Sequence, residues 1–269
     1  MTNFNYPLPT QTEDKFVARN HQCSNLSLWL DRYVGYEKKW KLDEENKSKF
    51  LKKVVDKFNF PSQLISAYHQ RWQITTQSFS HAQHFQASPE WRMAVGLGQT
   101  SILETSLTLD RITGIPLIPG SALKGLAATY AMLEELEETE RKNIETTKNP
   151  TDQQKDFLAI FGTENNTGKI VFFDAVPTKS PILELDIMNN HYPQYYQGEE
   201  APTPSQSPNP VYFLTLGNQS EFAFAVARRD KNTKQELVKK AANWLKQGLE
   251  TMGVGAKTAA GYGYLLETK

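Results

Sequence analysis

Hydrophobic residues in the first third of the chain recur at the spacing of α-helices. One amphipathic helix is predicted from apolar residues interspersed with lysines, and these residues are Phe50, Leu51, Val54, Val55 and Phe58. A shorter apolar cluster at 26–34 precedes it, and Pro61 begins another helix, because the first helical turn tolerates proline. We therefore predict a loose arm over residues 1–20 and a helical N-terminal appendage that extends to residue 88.

The pattern changes near Trp91 to that of short strands. Trp91–Leu97 is an apolar run, and apolar or threonine positions alternate with polar positions over 103–110, which predicts two strands. Phe157–Phe161 predicts a short apolar turn. Lys169–Val176, with the sequence KIVFFDAV, is rich in β-branched and aromatic residues and predicts a central strand.

Two helices and three further strands complete this part of the sequence. Ser121 is the predicted N-cap of the first helix. Thr233–Met252 predicts the second helix, because its apolar residues form one stripe. Val211–Leu216 and Glu221–Ala227 predict a strand pair joined across a short turn, and a final strand follows at 262–266.

The order of these elements predicts the fold class. From Trp91 onward the order is strand, inserted hairpin, helix, strand, strand, helix and strand. This order matches the β-α-β-β-α-β ferredoxin-like arrangement of the α+β class, and the same layers underlie the common RNA-recognition module. We therefore predict two domains, which are the arm with the helical appendage at 1–88 and a ferredoxin-like, RNA-binding domain at 89–269.

Composition and charge narrow the class of protein. The chain has 30 lysine and arginine residues and 30 aspartate and glutamate residues, so it lacks the basic surface of an independent nucleic-acid-binding protein. A subunit with a local basic patch fits this balance. No apolar stretch approaches the roughly 20 residues of a membrane span, and the N-terminus resembles neither a signal peptide nor a transit peptide. The single cysteine, Cys23, favours a cytoplasmic location.

The first candidate for chemistry is the segment Gly114–Gly125. It puts Gly120, Ser121, Lys124 and Gly125 at the start of a helix, where free N–H groups and the helix dipole favour a phosphate. The alternative is an ordinary capped helix whose lysine faces solvent. Ser121 and Lys124 also match the S-x-x-K pair of penicillin-binding enzymes, but the S-D-N and K-T-G motifs of those enzymes are absent.

The second candidate is the glycine-rich segment Gly253–Gly263. Its predicted RNA-binding residues are Gly253, Gly255, Lys257, Thr258, Gly261 and Gly263. Glycines between a helix and a strand let the backbone approach a ligand closely. The segment is not a P-loop, because Ala256 precedes Lys257 and the helix comes before the strand. The alternative is a helix stop followed by a bulged strand.

Histidines are the remaining candidates for chemistry, at positions 21, 69, 81, 84 and 191. His81 and His84 lie in a polar segment with few carboxylates nearby, so we predict exposed loop histidines rather than a metal site. His191 precedes three tyrosines, which suits RNA binding by stacking on single-stranded bases. It equally suits a packed loop or a protein contact. Because no acid–base pair or nucleophilic triad is legible, we predict no catalytic residue, no metal site and no cofactor.

The two glycine-rich segments together resemble the RAMP superfamily of CRISPR RNA-binding proteins. The hallmarks of that superfamily are a G-x-P-x-I-P-G-S-x-L-K-G motif at a helix start and a glycine-rich loop near the C-terminus. Further matches resemble the sixth RAMP subunit of the Cmr (type III-B) effector complex. In chain order they are Val95–Gly98, Leu103–Leu109, Ile160–Gly162, Gly168–Ala175, Leu185–Met188 with His191 and Tyr192, and Asn209–Val211. The resemblance covers about Trp91 to Leu266.

The resemblance implies a non-catalytic RNA-binding subunit that serves antiviral defence. Such a subunit would cap a filament of related RAMP subunits near the 3′ part of the guide RNA. Its expected partners are the CRISPR guide RNA, the target RNA, the repeated backbone subunit and the other head subunit, with no membrane among them. Target cleavage in such complexes belongs to the repeated backbone subunit, so the resemblance transfers no catalytic residue to this chain.

Two alternatives stay open. One is a metal-independent RAMP endoribonuclease that processes CRISPR repeat RNA, with a histidine as general acid or base. The other is a structural adaptor that contacts only proteins. The neutral charge and the lack of a histidine partner favour the RNA-binding subunit over the nuclease. Ala122, Ala127 and Ala128 depart from the superfamily pattern, in which relatives often have a second serine and an arginine.

Overall fold

The computed structural model describes residues 5–19, 22–36, 42–142, 144, 147, 149–190 and 209–268. The chain divides into two compact units, each assembled from separate stretches of sequence. The first unit comprises Met1–Asn59, Gly96–Ile115 and Leu183–Thr215, and the second comprises Phe60–Val95, Pro116–Ile182 and Leu216–Lys269. The predicted boundary at residue 88 does not separate these two units.

The described residues form helices and strands along most of the chain. The helices are α1 (Thr10–Ala18), α2 (Leu26–Arg32), α3 (Glu44–Lys57), α4 (Ser62–Gln77), α5 (Gly120–Tyr130), α6 (Glu138–Arg141), α7 (Asp152–Phe161) and α8 (Gln235–Thr251). The strands are β1 (Gln83–Pro89), β2 (Arg92–Met93), β3 (Ile170–Phe172), β4 (Val176–Pro177), β5 (Leu183–Asn190), β6 (Asn209–Gly217), β7 (Phe222–Arg228) and β8 (Leu265–Glu267). None of the helices in this described part is both long enough and apolar enough to cross a membrane.

The second unit is built on one antiparallel sheet. Its strand order is β3-β7-β1-β8, and β4 also pairs with β7. Along the chain, β1, α5, β3, β7, α8 and β8 follow the β-α-β-β-α-β order. The helices α5 and α8 pack against each other, and α8 lies on the sheet. The predicted ferredoxin-like core of the α+β class is therefore confirmed.

The core of this unit lies between α8 and the sheet. The β7 sequence FAFAVAR has six buried residues, because both faces of this inner strand are covered. From α8, Val238, Ala241 and Leu245 are fully buried. Gly248 of α8 faces α5, and a Cβ atom built on it would lie 3.1 Å from Leu126 Cγ. The missing side chain therefore lets the two helices pack closely.

The first unit contains most of the predicted helical appendage. Its aromatic core includes the Phe16 ring, which stacks on Tyr33 with centroids 4.7 Å apart, and the buried Trp29. Lys47 of α3 is paired with Glu44 and with Glu104, which links the helix to the segment 96–115. The helices predicted in the first third are confirmed, although α1 lies inside the predicted loose arm and α4 belongs to the second unit.

The first strand of the sheet lies earlier than predicted. β1 occupies Gln83–Pro89, whereas Trp91–Leu97 contributes only the two residues of β2. In β1, Phe85 and Ala87 are buried and His84 and Gln86 are exposed, which is the alternation of a half-buried strand. The prediction missed this strand because its open face carries polar residues that resemble a loop.

Four other predicted elements differ from the structure. Residues 103–110 keep alternating burial but form no strand of either sheet, and the predicted hairpin is reduced to its turn, where the Asp110 N–H group donates to Ile115 O at 2.7 Å. The run 169–176 divides into β3 and β4, because Ala175 leaves β7 to bridge Ile118, and β3 lies at the sheet edge rather than its centre. β6 pairs with β5 instead of β7. α7 is a capped ten-residue helix rather than a turn, and its T-x-x-Q capping box was overlooked.

Candidate nucleic-acid interface

A carboxylate from elsewhere in the chain fixes the start of α5. Pro119 is the N-cap and the helix has no side-chain cap from its own first turn, so the prediction of Ser121 as the N-cap is wrong. Instead, Asp174 Oδ1 accepts a hydrogen bond from the Gly120 N–H group at 2.7 Å. This carboxylate satisfies a free N–H group and complements the positive end of the helix dipole. The helix start is therefore partly occupied by an anionic group of the protein itself.

Gly120 serves the packing of α5 against the sheet. It is buried, and a Cβ atom built on it would lie 2.3 Å from Phe172 O at the end of β3. No side chain fits between helix and strand at this distance. Because its N–H group is already bonded to Asp174, Gly120 holds the helix in place rather than offering that group to a ligand.

The exposed side of α5 keeps other features of the predicted site. Ser121 and Gly125 are exposed and Lys124 is half-buried. Their spacing puts all three on one side of the helix, and we refer to this surface as the α5 face. Within the residues that the structure describes, Lys124 makes no ion pair. A Cβ atom at Gly125 would meet no neighbouring atom within 4 Å.

Gly125 is an unexpected residue in the interior of α5. A glycine inside a helix costs about 0.5–1 kcal/mol of stability relative to alanine. No neighbouring protein atom requires the glycine here, in contrast to Gly120. The α5 face thus combines one lysine with an open position that leaves room for another molecule.

The segment Gly253–Gly263, which we name the glycine loop, folds tightly on itself. All four of its glycines have positive φ, the region that favours glycine over other residues. A Cβ atom at Gly263 would lie 2.0 Å from Val254 O, while the Val254 N–H group donates to Gly263 O at 2.8 Å. A 3₁₀ turn at Thr258–Ala260 follows. The loop is therefore a compact turn rather than the bulged strand of the alternative interpretation.

Individual glycines of this loop differ in their surroundings. Gly253 is buried, and Gly255 lies against the chain next to β2, where the Ala256 N–H group donates to Ala94 O at 2.7 Å. A Cβ atom at Gly255 would come within 2.4 Å of that same oxygen. Gly261, by contrast, is exposed and has no neighbouring atom within 4 Å of its Cβ position. Only Gly261 therefore leaves open space for a ligand.

Lys257 has an unusual backbone conformation for a lysine. Its φ of 62° and ψ of 31° lie in the left-handed region, directly before the 3₁₀ turn that begins at Thr258. For a residue with a Cβ atom this conformation costs about 1–2 kcal/mol. Glycine would be less strained at this position. Lys257 thus occupies a position where the backbone favours glycine.

The α5 start and the glycine loop lie at different places on the sheet. The glycine loop leads into β8, whose first residue, Leu265, pairs with Pro89 at the end of β1. The α5 start packs on Phe172 of β3, which pairs with the same β7 residue, Val226, as Gln83 at the start of β1. The two segments are therefore about six residues apart along the strands, roughly 20 Å, and three interstrand spacings apart across the sheet, roughly 14 Å. Contact with both segments would need a single RNA strand of several nucleotides.

An exposed tryptophan beside the glycine loop was not predicted. Trp91 is 47% exposed, and its ring centroid lies 4.9 Å from that of Tyr262. The guanidinium of Arg92 lies 5.1 Å from the Trp91 ring centroid, and Arg92 O accepts a hydrogen bond from the Gly263 N–H group. Exposed rings beside an arginine are typical of surfaces that stack on unpaired bases. The signal was the Trp-Arg pair, which the sequence interpretation assigned to an apolar strand.

The region that contains both segments matches a known family. The family model of the RAMP superfamily matches residues 89–266, which is more than half of the chain. The chain belongs to the RAMP superfamily.

Two relatives of this RAMP protein carry the same subunit name. CRISPR system Cmr subunit Cmr6 from Pyrococcus furiosus is 34% identical over 265 residues, covering 80% of this chain and 77% of the relative. CRISPR system CMR subunit Cmr6 from Saccharolobus solfataricus is 22% identical, covering 81% and 71%. A chain in the cryo-EM structure of the Type III-B Cmr-beta bound to cognate target RNA shares the fold, with a TM-score of 0.63 and 18% identity over 96% of this chain and 86% of that chain.

The histidines of this RAMP protein divide between a turn and the sheet. His81 is exposed in a turn, as predicted. His84 is exposed but lies on β1, with Nε2 2.9 Å from Thr76 Oγ1, so the prediction of a loop is wrong for this residue. Burial lowers the pKa of His69 and of His84. His191 lies outside the described residues, and its RNA contact stays a prediction.

No metal centre is present in the part of the RAMP protein that the structure describes. Groups of three or more histidine, cysteine, aspartate or glutamate side chains that could hold an ion do not occur among those residues. Cys23 is half-buried, and burial raises the pKa of its thiol. The α5 face and the glycine loop offer lysines, hydroxyl groups and backbone groups, and an exposed indole ring lies beside the loop.

Proposed function

We propose that this RAMP protein is a non-catalytic RNA-binding subunit of a cytoplasmic type III-B CRISPR effector complex, the Cmr complex. The observation that carries the proposal is the 34% identity to a Cmr6 subunit, in a chain whose second unit has two candidate RNA contacts, the α5 face and the glycine loop. Its partners are the guide RNA, the target RNA and other RAMP subunits, including the repeated backbone subunit and the other head subunit. It caps the backbone filament near the 3′ part of the guide RNA and serves antiviral defence.

In this proposal the α5 face and the glycine loop bind the sugar-phosphate backbone of the RNA. Lys124 and Lys257 supply positive charge, and the hydroxyl groups of Ser121 and Thr258 supply hydrogen bonds to phosphates. Gly125 and Gly261 provide the space for those contacts, because neither has a neighbour within 4 Å of its Cβ position. Contacts to phosphate and sugar position RNA without reading its sequence. A subunit that holds guides of many sequences needs contacts of this kind.

The remaining glycines of the predicted site act indirectly. Gly120 lets α5 approach the end of β3, and Gly253, Gly255 and Gly263 close the glycine loop on itself and on the chain next to β2. These glycines position the lysines and hydroxyl groups of the α5 face and the glycine loop without contacting RNA themselves.

The distribution of charge supports a local interaction surface on a neutral chain. Arg228–Lys257, which includes α8 and the first part of the glycine loop, has eight lysine or arginine residues against three acidic ones. Glu134–Asp156 has the opposite balance, with eight acidic residues against four basic ones. A local excess of positive charge attracts RNA, even when the total charge is zero. The neutral composition therefore does not argue against RNA binding by a subunit.

The proposal predicts that each of the two lysines contributes to the salt dependence of guide-RNA binding. In the reconstituted complex, Lys124→Ala or Lys257→Ala should each reduce the slope of log K against log salt by about 0.7, the value for one phosphate contact on a single strand. The reduction should be the same for guides of different sequence, because phosphate contacts do not read bases. The measurement is guide-RNA binding over a salt series.

Lys239→Ala is the matched control for this series. Lys239 is an exposed lysine on α8, and it lies about 18 Å along the helix from the end that leads into the glycine loop. The control should keep the wild-type slope. If the complexes with Lys124→Ala and Lys257→Ala assemble and also keep that slope, the two segments only shape the fold and RNA is held elsewhere.

We also propose that the chain does not cleave RNA. Metal-independent cleavage needs a proton donor and a neutral base in the correct protonation states. Because burial lowers the pKa of both His69 and His84, neither is a good proton donor at neutral pH. The purified chain should leave labelled CRISPR-repeat RNA intact, with or without divalent metal. Specific cleavage that is lost in His84→Ala or His191→Ala would establish the endoribonuclease alternative.

A further inference from the structure

The second unit has a cleft on the face of the sheet opposite α8. Phe85 of β1 is buried beneath α8, where Lys246 Nζ lies 4.9 Å from its ring centroid. Because side chains alternate along a strand, His84 and Gln86 point to the other face. α4 borders that face and leaves a cleft of about 380 Å³ between α4, β1 and the end of β8. This volume lies in the range of about 300–1,000 Å³ that small-molecule sites occupy.

The cleft is aromatic and polar. α4 lines one side of it with His69, Trp72 and Gln73. The rings of His69 and Trp72 are stacked, with centroids 6.0 Å apart and planes at 26°. Gln86 on the floor supplies a further amide that can donate and accept hydrogen bonds. Such a lining suits a flat ring with polar edges.

The same cleft offers nothing to a free anion. No lysine or arginine of the described chain lines it. The carboxylate of Glu267, at one side, is neutralised by Lys246 Nζ at 2.7 Å. Burial lowers the pKa of the two histidines, so both rings are uncharged at neutral pH. A phosphate would find no positively charged partner in the cleft, in contrast to the α5 face and the glycine loop, which carry lysines.

One feature orders the cleft before any ligand binds. The Trp72 Nε1–H group donates to Asp174 O at 2.8 Å, which fixes the plane of the indole ring. His69 Nε2 and Thr268 Oγ1 belong to lining residues but are shielded from solvent, so these two atoms offer no hydrogen bond to a ligand. The polar edges of a ligand would instead meet the glutamine amides of the lining.

We propose that this cleft binds one unpaired nucleobase of the RNA, stacked on the Trp72 and His69 rings and hydrogen-bonded through its edges to the glutamine amides. The proposal rests on the proposed function, because the bound RNA is the source of the base. Sheet faces and aromatic rings bind unpaired bases in other RNA-binding modules. In this account the α5 face and the glycine loop bind phosphates, and the cleft binds a base of the same RNA.

Abasic nucleotides test this proposal in the reconstituted complex. Guide RNA is prepared with a single abasic nucleotide moved along its 3′ part, and binding is compared with intact RNA. Stacking of one base on an aromatic ring corresponds to about 5- to 150-fold in affinity. The wild-type complex should lose affinity by this factor at one position. Trp72→Leu and His69→Leu should remove the difference between intact and abasic RNA while leaving the salt slope unchanged.

Two controls keep the result interpretable. Ile74→Ala changes an exposed residue of the same helix outside the cleft, 65% exposed, and should behave as wild type. Trp72→Leu also removes the bond to Asp174, the residue that caps α5, so His69→Leu provides a second variant that leaves this cap intact. Independently of any variant, 4-thiouridine at the sensitive position should crosslink to the peptide 62–77.

The outcomes separate this proposal from the proposed function. If no position is sensitive to base removal and no crosslink forms to 62–77, while the lysine variants still reduce the salt slope, the cleft proposal fails and the RNA-binding subunit stands. If neither the cleft variants nor the lysine variants change RNA binding, both fail. RNA cleavage abolished by His69→Leu would also overturn the cleft proposal, because the histidine would then act in chemistry.

Discussion

The α5 face and the glycine loop present their lysines in different ways. Lys124 lies in regular helix beside Gly125, whose Cβ position is open. Lys257 lies in a left-handed backbone between glycines, most of which the fold requires. At Gly253, Gly255 and Gly263 of the loop, glycine is needed because protein atoms lie close to the Cβ positions. On α5, Gly125 has no such constraint.

This difference teaches how to separate structure from function in a glycine-rich motif. A glycine whose Cβ position overlaps a backbone oxygen, such as Gly120 or Gly263, reports the packing of the protein. A glycine with open space and ordinary helical φ, such as Gly125, is not explained by the packing of the protein. Substitutions at the two kinds of glycine should therefore change different properties, namely stability in the first case and RNA binding in the second.

The largest effect is expected at the closed end of the glycine loop. Gly263→Ala should destabilise the protein by about 2–5 kcal/mol, because it adds a backbone clash to the cost of positive φ. Gly261→Ala is the matched control: its φ is 90° against 76° at Gly263, but its Cβ position is open, so only the conformational cost of about 1–2 kcal/mol applies. The measurement is chemical denaturation of the purified chain. Equal destabilisation by both substitutions would contradict the distinction.

A smaller effect is expected at the start of α5. Asp174→Ala removes the carboxylate that accepts from the Gly120 N–H group, and the loss of a helix cap costs about 1–2 kcal/mol. Asp174→Asn keeps an acceptor oxygen and should recover most of this stability. Denaturation of the two variants, compared with wild type, measures the cap. If both variants lose the same stability, Asp174 acts through its charge and not through this hydrogen bond.

The sequence was sufficient for the elements whose pattern is local. α8 was predicted because its apolar stripe is continuous, and the order of elements was sufficient for the ferredoxin-like core. β1 was missed because half of its residues face the open side of the sheet and are polar, as His84 and Gln86 are. The edge position of β3 was missed because an apolar sequence does not show whether a strand pairs with a neighbour on one side or on both.

The parts of the site that depend on distant residues could not be predicted. Asp174 caps α5 from 54 positions away, and no local motif announces such a contact. The cleft beneath α4 joins residues of α4, β1 and β8, which lie far apart in the sequence. Lys124 and Lys257 were found because the motifs that contain them are local. The prediction that both lysines meet one RNA strand stays a prediction.

The smallest change in stability, and the most informative one, is expected at Gly125. Gly125→Ala should stabilise α5 by about 0.5–1 kcal/mol, because alanine is the better helix former and its Cβ meets no neighbour. The same substitution should weaken guide-RNA binding, because the methyl group occupies the space beside Lys124. Denaturation and RNA binding of one variant thus give effects of opposite sign. A variant that is more stable and binds RNA as wild type does would show that no RNA approaches this face.

The measurement that tests the central claim most directly is guide-RNA binding by a complex in which Lys124 and Lys257 are both replaced by alanine. If both lysines contact phosphates of one strand, the slope of log K against log salt should fall by about 1.4, twice the value for one contact. The fall should be the same for guides of different sequence, and Lys239→Ala should leave the slope unchanged. A double variant that assembles into the complex and keeps the wild-type slope would contradict the claim that the α5 face and the glycine loop hold the RNA.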